Sequence, residues 1–394
     1  MGLITEYINK KWGALELENE LLKLIGKYNE IKQTNLIVYA SAVNKANQIP
    51  YVGLSMEDYY IIFDLLTNIK SNKLAFYIET PGGSGEAAEE IGRLIRDNFE
   101  DIAFVVSGEA KSAGTILVLS GNEIFMTDSG SVGPIDAQVR IGRTTISAYD
   151  YMEWVNIKRD EAEKAGKLNS FDATMVAQIS PGELNLVYHA LEFAKDLVVD
   201  WLEKYKFKNW NVTETRKTHV TQEMKRKRAE EIAEELTNHA KWRTHGRSLK
   251  IRDLESIGLK INRVDDDSKL ADIVYRIQTV IRFLFETTST YKLFATSKEK
   301  IFKQATPIPA ISQKQIPLKQ PDVAGATIKC EKCGNVHEIY AKLAPNPQID
   351  EEMKRQGAKP FPKNNKLKCN CGFEIDLSGL RNEIETKAEK KIIN

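Results

Sequence analysis

Ser112 stands inside "VVSGEAKSAGTILVLSGN" (105–122), between two apolar runs and directly before Ala113 and Gly114. The run ending at Gly108 reads as a strand and the run after Ser112 as a buried helix, so the hydroxyl falls at a helix N-terminus. Unpaired backbone N–H groups and the helix dipole favour developing negative charge there, which is what a nucleophilic serine needs. Ala113 and Gly114 leave room for an approaching carbonyl, and the Ala113 N–H is placed to donate to the oxyanion. A second segment, "YIETPGGSGEAAEE" (77–90), follows another strand with Pro81, Gly82 and Gly83. Glycines let backbone N–H groups turn inward without a side chain in the way. Small residues also serve packing at such turns. The two segments point to chemistry because strand-end loops one crossover helix apart converge at the carboxyl edge of a parallel sheet.

A different chemistry is written at the other end of the chain. All four cysteines lie there, Cys330 and Cys333 in "CEKC" and Cys369 and Cys371 in "CNC", each pair followed by a glycine, Gly334 or Gly372. Two knuckle-like turns supplying four thiolates suit tetrahedral zinc. The absence of cysteine from the first 329 residues argues against a disulfide framework. A four-thiolate site is closed, so the zinc is expected to be structural.

The elements that must position Ser112 are legible as alternating strands and helices. "NLIVYAS" (35–41), "LAFYIET" (74–80), "IAFVVSG" (102–108) and "NEIFMT" (122–127) read as buried strands. "SMEDYYIIFDLLTNIK" and "GSGEAAEEIGRLIRDN" between them have helical periodicity. The fold class is therefore α/β, with a parallel sheet built from right-handed β-α-β units. Leu17, Leu21, Leu24, Ile25 and Tyr28 mark an N-terminal helix for docking or oligomerisation. Residues 144–206 read as largely helical and 221–300 as mixed helical segments. "KQATPIPAISQKQIPLKQPDVAGA" (303–326) reads as an extended linker. The expected organisation is an N-terminal helical segment (1–34), a core (35–210), a helical extension (211–302), the linker (303–326) and a zinc ribbon (327–394).

The charge balance, 56 Lys plus Arg against 55 Asp plus Glu, makes no global field for nucleic acid or an anionic membrane. The basic run Lys225, Arg226, Lys227 and Arg228 precedes Glu230, Glu231, Glu234 and Glu235, so it reads as the solvated start of a helix, and nucleic acid is not the favoured partner. The chain shows neither a signal peptide nor an apolar run of membrane-spanning length, and the expectation is a soluble cytoplasmic protein. No GxxxxGK[ST] loop is present, so any ATP dependence must come from another chain.

"PGGSG" followed by "AKSAGT" resembles the Clp-protease and crotonase superfold. Within it the chain is most similar to the signal peptide peptidase A clan, in particular the serine dehydrogenase proteinase family. The resemblance covers roughly residues 35–290, and "MTDSGSVGPIDAQV" (126–139) adds Gly133, Pro134, Asp136 and Gln138 to it. It implies a Clp/crotonase-like spiral of β-α-β units, Gly82 and Gly83 as oxyanion donors, Ser112 as nucleophile and Ala113 as a second donor.

A serine needs a proton acceptor, either a histidine held by a carboxylate or a neutral buried lysine. Clp subunits carry a histidine where this chain has Ala137. Signal peptide peptidase A-like enzymes use a lysine further along, for which Lys158, Lys164 and Lys167 are available. Lys167 is preferred because Ala165 and Gly166 before it resemble the residues preceding that lysine. His189, His239 and His245 remain the competing set.

These features predict an ATP-independent cytoplasmic serine peptidase acting on peptides or unfolded protein. They also predict a homo-oligomer, with the ribbon recruiting a substrate or partner. The alternative is a catalytically inactive oligomeric scaffold of the same superfold. Crotonase-type acyl-CoA chemistry is disfavoured because no acidic pair is placed for it.

Overall fold

A computed structural model describes all residues except 1, 47, 48, 50, 142, 143, 245, 306–321 and 394. The chain divides into two compact units, Met1–Thr306 and Pro307–Asn394.

The first unit opens with α1 (Leu3–Lys10) and α2 (Ala14–Lys32). There follow β1 (Asn35–Ser41), α3 (Met56–Leu66), β2 (Lys73–Glu79), α4 (Gly85–Asn98), β3 (Asp101–Val106) and the short β4 (Glu109–Ala110). Next come α5 (Ala113–Leu119), β5 (Glu123–Met126), the short β6 (Ser131–Val132) and a hairpin of β7 (Gln138–Ile141) and β8 (Thr144–Ser147). Helices α6 (Ala148–Ala165), α7 (Ser170–Val176), α8 (Pro181–Trp201), α9 (Gln222–Thr237), α10 (His239–Trp242) and α11 (Ile251–Ser256) lead to β9 (Asn262–Arg263), α12 (Ser268–Thr287), β10 (Thr290–Ala295) and β11 (Lys300–Gln304).

The main sheet has the order β11-β10-β1-β2-β3-β5-β9. β1, β2, β3, β5 and β9 run parallel, while β10 is antiparallel to β1 and β11 to β10. Both faces are covered, which is why β1 and β2 are nearly continuous apolar runs. Alternate residues go to opposite cores. Ile37, Tyr39, Phe76, Ile78 and Phe104 pack with residues of α3, α4, α5, α8 and α9. Leu36, Val38, Ala75, Tyr77 and Val105 pack with residues of α2 and α12. Helix starts are fixed locally. Ser84 Oγ accepts the Ala87 N–H (3.0 Å) at α4, and Pro181 sits in the first turn of α8 behind the capping Ser180.

Three stretches differ from the sequence expectation. Residues 144–147, read as helical, are strand β8, paired antiparallel with β7. Residues 211–302 are not purely helical, since they also supply β9, β10 and the start of β11 to the main sheet. The lysines interleaved in "TYKLFA" and "KIFKQ" hide that signal. Most of the expected linker (306–321) lies outside the described residues, and its two ends are strand.

In the second unit β12 (Val323–Lys329) and β13 (Val336–Lys342) form an antiparallel pair. α13 (Pro347–Arg355), β14 (Lys359–Pro360), a second hairpin of β15 (Lys366–Lys368) and β16 (Glu374–Asp376), and α14 (Ser378–Ala388) complete it. Its own small core includes Ile339, Leu343, Phe361, Leu367, Leu377 and Ile392. Among the described residues no helix is long and apolar enough to cross a membrane.

Candidate functional site

Beyond the carboxyl ends of β2 and β3 the chain is stitched to its neighbours by backbone bonds. Thr80 N–H donates to Glu109 O (2.7 Å) and Lys111 N–H to Thr80 O (3.1 Å). β4 pairs in parallel with β6, and Val132 bridges to Leu249. On the other side Leu54 N–H donates to Gly82 O (2.7 Å) and Ser84 N–H to Leu54 O (2.9 Å). These bonds set the PGG loop and the turn before α5 side by side.

Ser112 is the N-cap of α5 with φ 49° and ψ −114°. Positive φ also occurs at Lys11, Gln33, Arg243 and Glu389, which end helices, and at Lys217 and Asn365, which lie outside helices. Ser112 begins one. A non-glycine residue in this region costs about 1–3 kcal/mol and persists only where the surroundings enforce it. Gly82 (φ 111°) and Gly83 (φ 146°) complete the geometry. A Cβ on Gly82 would stand 2.8 Å from Ser112 Cβ, and one on Gly83 2.3 Å from Leu54 O. Neither position admits a side chain.

The donors are not equivalent. Gly82 N–H donates to Thr80 Oγ1 (3.3 Å). The Gly83 and Ala113 N–H groups have no acceptor among the described residues, so they are the two available to an incoming oxyanion. Gly114 has a use the sequence did not reveal: its hydrogen clears Thr80 Cγ2, which a Cβ would meet at 2.5 Å. Thr115 Oγ1 donates to Ala110 O (2.8 Å) and accepts the Gly133 N–H (3.0 Å). That contact clips the "GPID" segment to the start of α5.

The candidate bases fare differently. Ser112 Oγ has no hydrogen-bond partner among the described residues. Lys167 is exposed in the connection between α6 and α7, and Lys164 is exposed on α6. Lys158 is bound to Glu161 and Asp172, both at 3.0 Å. Hydrogen bonds to these carboxylates raise its pKa, the opposite of what a base requires. His189 is exposed on α8, and His245 lies outside the described residues. His239 is held between Asp150 Oδ1 (Nδ1, 2.8 Å) and Asp136 Oδ2 (Nε2, 3.7 Å). Asp136 in turn accepts from Ser147 Oγ (2.7 Å) and Gln138 Nε2 (2.5 Å). The structure therefore brings Gly82, Gly83, Ala113 and Ser112 together, without a contact from Lys167 to Ser112 Oγ.

Lys111 escaped the sequence reading although it adjoins Ser112. It is buried, and its Nζ donates to Ser248 Oγ (2.8 Å), Arg247 O (3.1 Å) and Val132 O (3.3 Å). Burial pushes its pKa down to about 8, with Glu109 opposing the shift. All three donors are committed away from Ser112, so Lys111 clamps the 132–133 and 247–248 segments beside the turn.

In the second unit the four cysteine sulfurs lie within 4.8 Å of one another. Cys330 to Cys371 is 3.8 Å and Cys333 to Cys369 is 3.5 Å. Four sulfurs about 2.3 Å from a central ion stand about 3.8 Å apart, so the cluster fits a tetrahedral metal. The backbone shapes the knuckles: Gly334 N–H donates to Cys330 O (2.8 Å) and Gly372 N–H to Cys369 O (2.9 Å), both glycines at positive φ. Buried His337 brings Nε2 within 3.2 Å of Cys369 Sγ, the place of an outer-shell group that orients a ligand. The cysteine spacing alone did not point to it.

No family model matches the chain. It is similar to two uncharacterized proteins of Methanocaldococcus jannaschii, MJ1495 (21% identity over 126 residues) and MJ0137 (24% over 131 residues). The alignments cover 30% and 32% of this chain and 43% and 45% of those proteins. The chain thus spans less than half the length of the curated relatives it matches. Among solved structures it is similar to two mutants of the 1510-N membrane-bound stomatin-specific protease, one in complex with a substrate peptide. Identities are 14% and 13%, coverage 56% and 55% of this chain and 74% and 76% of those chains, and TM-scores 0.33 and 0.30.

Proposed function

We propose that the chain is a serine peptidase of the Clp/crotonase superfold, close to the serine dehydrogenase proteinase family, in which Ser112 attacks the carbonyl of a peptide or unfolded segment. The observation that carries this reading is Ser112 at positive φ beside the free N–H groups of Gly83 and Ala113. Two such donors stabilise the tetrahedral oxyanion, while Gly82 gives the loop its approach to Ser112. Lys167 is the proposed proton acceptor. A lysine works as a base near neutrality once burial lowers its pKa, so substrate or a second copy of the chain has to cover the α6–α7 connection. Cys330, Cys333, Cys369 and Cys371 hold a structural zinc in a ribbon that recruits substrate or a partner. Reduced thiolates fit a cytoplasmic setting, and the enzyme acts as an ATP-independent homo-oligomer.

The bare Ser112 Oγ favours a second reading, an inactive scaffold of the same superfold. Hydrolysis of an unfolded protein and of fluorogenic peptides separates the two. The peptidase reading predicts turnover by wild type and none by Ser112→Ala; activity surviving in the variant contradicts it, and absence of turnover in both favours the scaffold.

A further inference from the structure

Far along the chain from Ser112, a buried ion pair touches the segment that holds the PGG loop. Lys292 on β10 and Asp58 in the first turn of α3 have side chains 1% and 0% exposed, with Nζ 2.6 Å from Oδ2. Lys292 Nζ also donates to Gly53 O (2.7 Å). Asp58 Oδ2 further accepts the Ser55 N–H (2.9 Å) and the Tyr39 hydroxyl (3.3 Å). Asp58 Oδ1 has no hydrogen-bond partner among the described residues; the Lys303 ammonium lies 3.9 Å away. A buried pair is a poor stability device, because desolvation offsets most of its attraction. Its geometry gives it another use.

Gly53 C=O and Leu54 N–H belong to one peptide plane, and Gly82 C=O and Gly83 N–H belong to the next. Lys292 Nζ donates to Gly53 O (2.7 Å), and Leu54 N–H donates to Gly82 O (2.7 Å). The series runs ammonium, peptide 53–54, peptide 82–83, and ends on the free Gly83 N–H. Hydrogen bonds in series polarise one another in a low dielectric. A cation at the carbonyl end makes each N–H beyond it a stronger donor and fixes its direction.

We propose that Lys292, held by Asp58, is a positioning residue that orients and polarises the Gly83 N–H through two hydrogen-bonded peptide planes. This rests on the reading of Ser112 as nucleophile and Gly83 as oxyanion donor. Neither residue touches substrate. Their effect falls on the oxyanion, hence on kcat, while ground-state binding is left nearly alone.

The test is the double variant Asp58→Asn, Lys292→Met. It removes both charges together, keeps the cap on Ser55 and fills the same volume. Loss of an oxyanion donor typically costs about 10²–10³ in kcat, so weakening one is expected to lower kcat on a fluorogenic peptide about tenfold to a hundredfold, with KM within about threefold and melting temperature close to wild type. A purely structural role predicts that a folded double variant keeps wild-type kcat, and that result overturns the proposal. Replacing Leu54 by its α-hydroxy acid deletes the relaying N–H and weakens the Gly53 carbonyl as acceptor, breaking the same relay should the double variant not fold. A matching drop in kcat is expected, and an unchanged kcat overturns the relay. If wild type forms no Ser112 adduct with a fluorophosphonate, the site reading fails and takes the relay with it. A labelled wild type with unaffected variants removes the relay alone.

Discussion

Around Ser112 the geometry is made of backbone: a strained N-cap, two glycines that admit no Cβ and two N–H groups that find no acceptor among the described residues. At the cysteine cluster it is made of four side chains on two hairpins, and the backbone only shapes the knuckles. The first site is assembled from segments far apart in sequence and, among the described residues, leaves two backbone N–H groups without an acceptor. The second is closed and fits a resident ion. On the proposed reading the first site carries strain and vacancy for a transition state, whereas a closed metal site satisfies itself.

That contrast breaks most severely at the metal. Chelation, or Cys330→Ser, is expected to unfold the second unit, since the proposed structural zinc would supply about 10 kcal/mol or more of folding energy to a small domain. Cleavage of a short peptide by the first unit should stay within about twofold, because that unit has its own core. Circular dichroism together with a peptide assay checks both. Loss of peptide cleavage on chelation would make the ribbon part of the catalytic assembly.

Within the first unit, Lys167→Ala is expected to lower turnover by about 10²–10⁴, the usual cost of a missing general base. His189→Ala, His239→Ala and His245→Ala should be mild. Lys111→Met should chiefly lower the melting temperature, because its three bonds clamp segments instead of meeting Ser112 Oγ. Kinetics and melts on the same set of variants rank them, and a reversed order would hand the proton to a histidine or to Lys111.

Gly82→Ala sets a smaller effect. The new Cβ at 2.8 Å from Ser112 Cβ, on backbone at φ 111°, should displace the loop and lower kcat about a hundredfold. Gly334→Ala, in an open knuckle where a Cβ meets only the end of the Lys329 side chain, should cost only about 1 kcal/mol from its positive φ, read as a change in zinc affinity. Equal damage from the two substitutions would erase the distinction between a crowded backbone site and an open knuckle.

The smallest effect is pH-dependent and confined to the first unit. Glu79, the last residue of β2, is buried against Gly108, and burial pushes its pKa up from 4.5 to about 7, with Arg282 opposing. Below pH 4.5 both folded and unfolded states hold the proton. As pH rises from there the unfolded chain releases it first, so stability falls until the folded carboxyl also ionises near pH 7, by at most about 3 kcal/mol. Glu79→Gln should therefore raise the melting temperature of the first unit more at pH 8 than at pH 5. An equal shift at both pH values would refute this assignment.

The strands 35–41, 74–80, 102–108 and 122–127 are legible in the sequence because both faces of β1, β2, β3 and β5 are covered, which forces continuous apolar runs. The cysteine cluster is legible because its ligands and glycines are local. The glycines and serine of the site are visible as types, but their partners are not. Leu54 and Thr80 are joined to the site's segments by backbone bonds, and Lys292 reaches Gly53 O with its side chain; no spacing rule encodes those. β10 and β11 are hidden for a related reason: lysines that find buried or paired sites, Lys292 with Asp58 and Lys303 with Glu57, read in isolation as solvent-facing charge.

The most direct test of the central claim is covalent. Wild-type protein treated with a fluorophosphonate and digested should yield a single modified peptide carrying the adduct on Ser112, and Ser112→Ala should yield none. An unlabelled wild type, or an adduct that persists in Ser112→Ala, would contradict the assignment of this strained serine as the nucleophile.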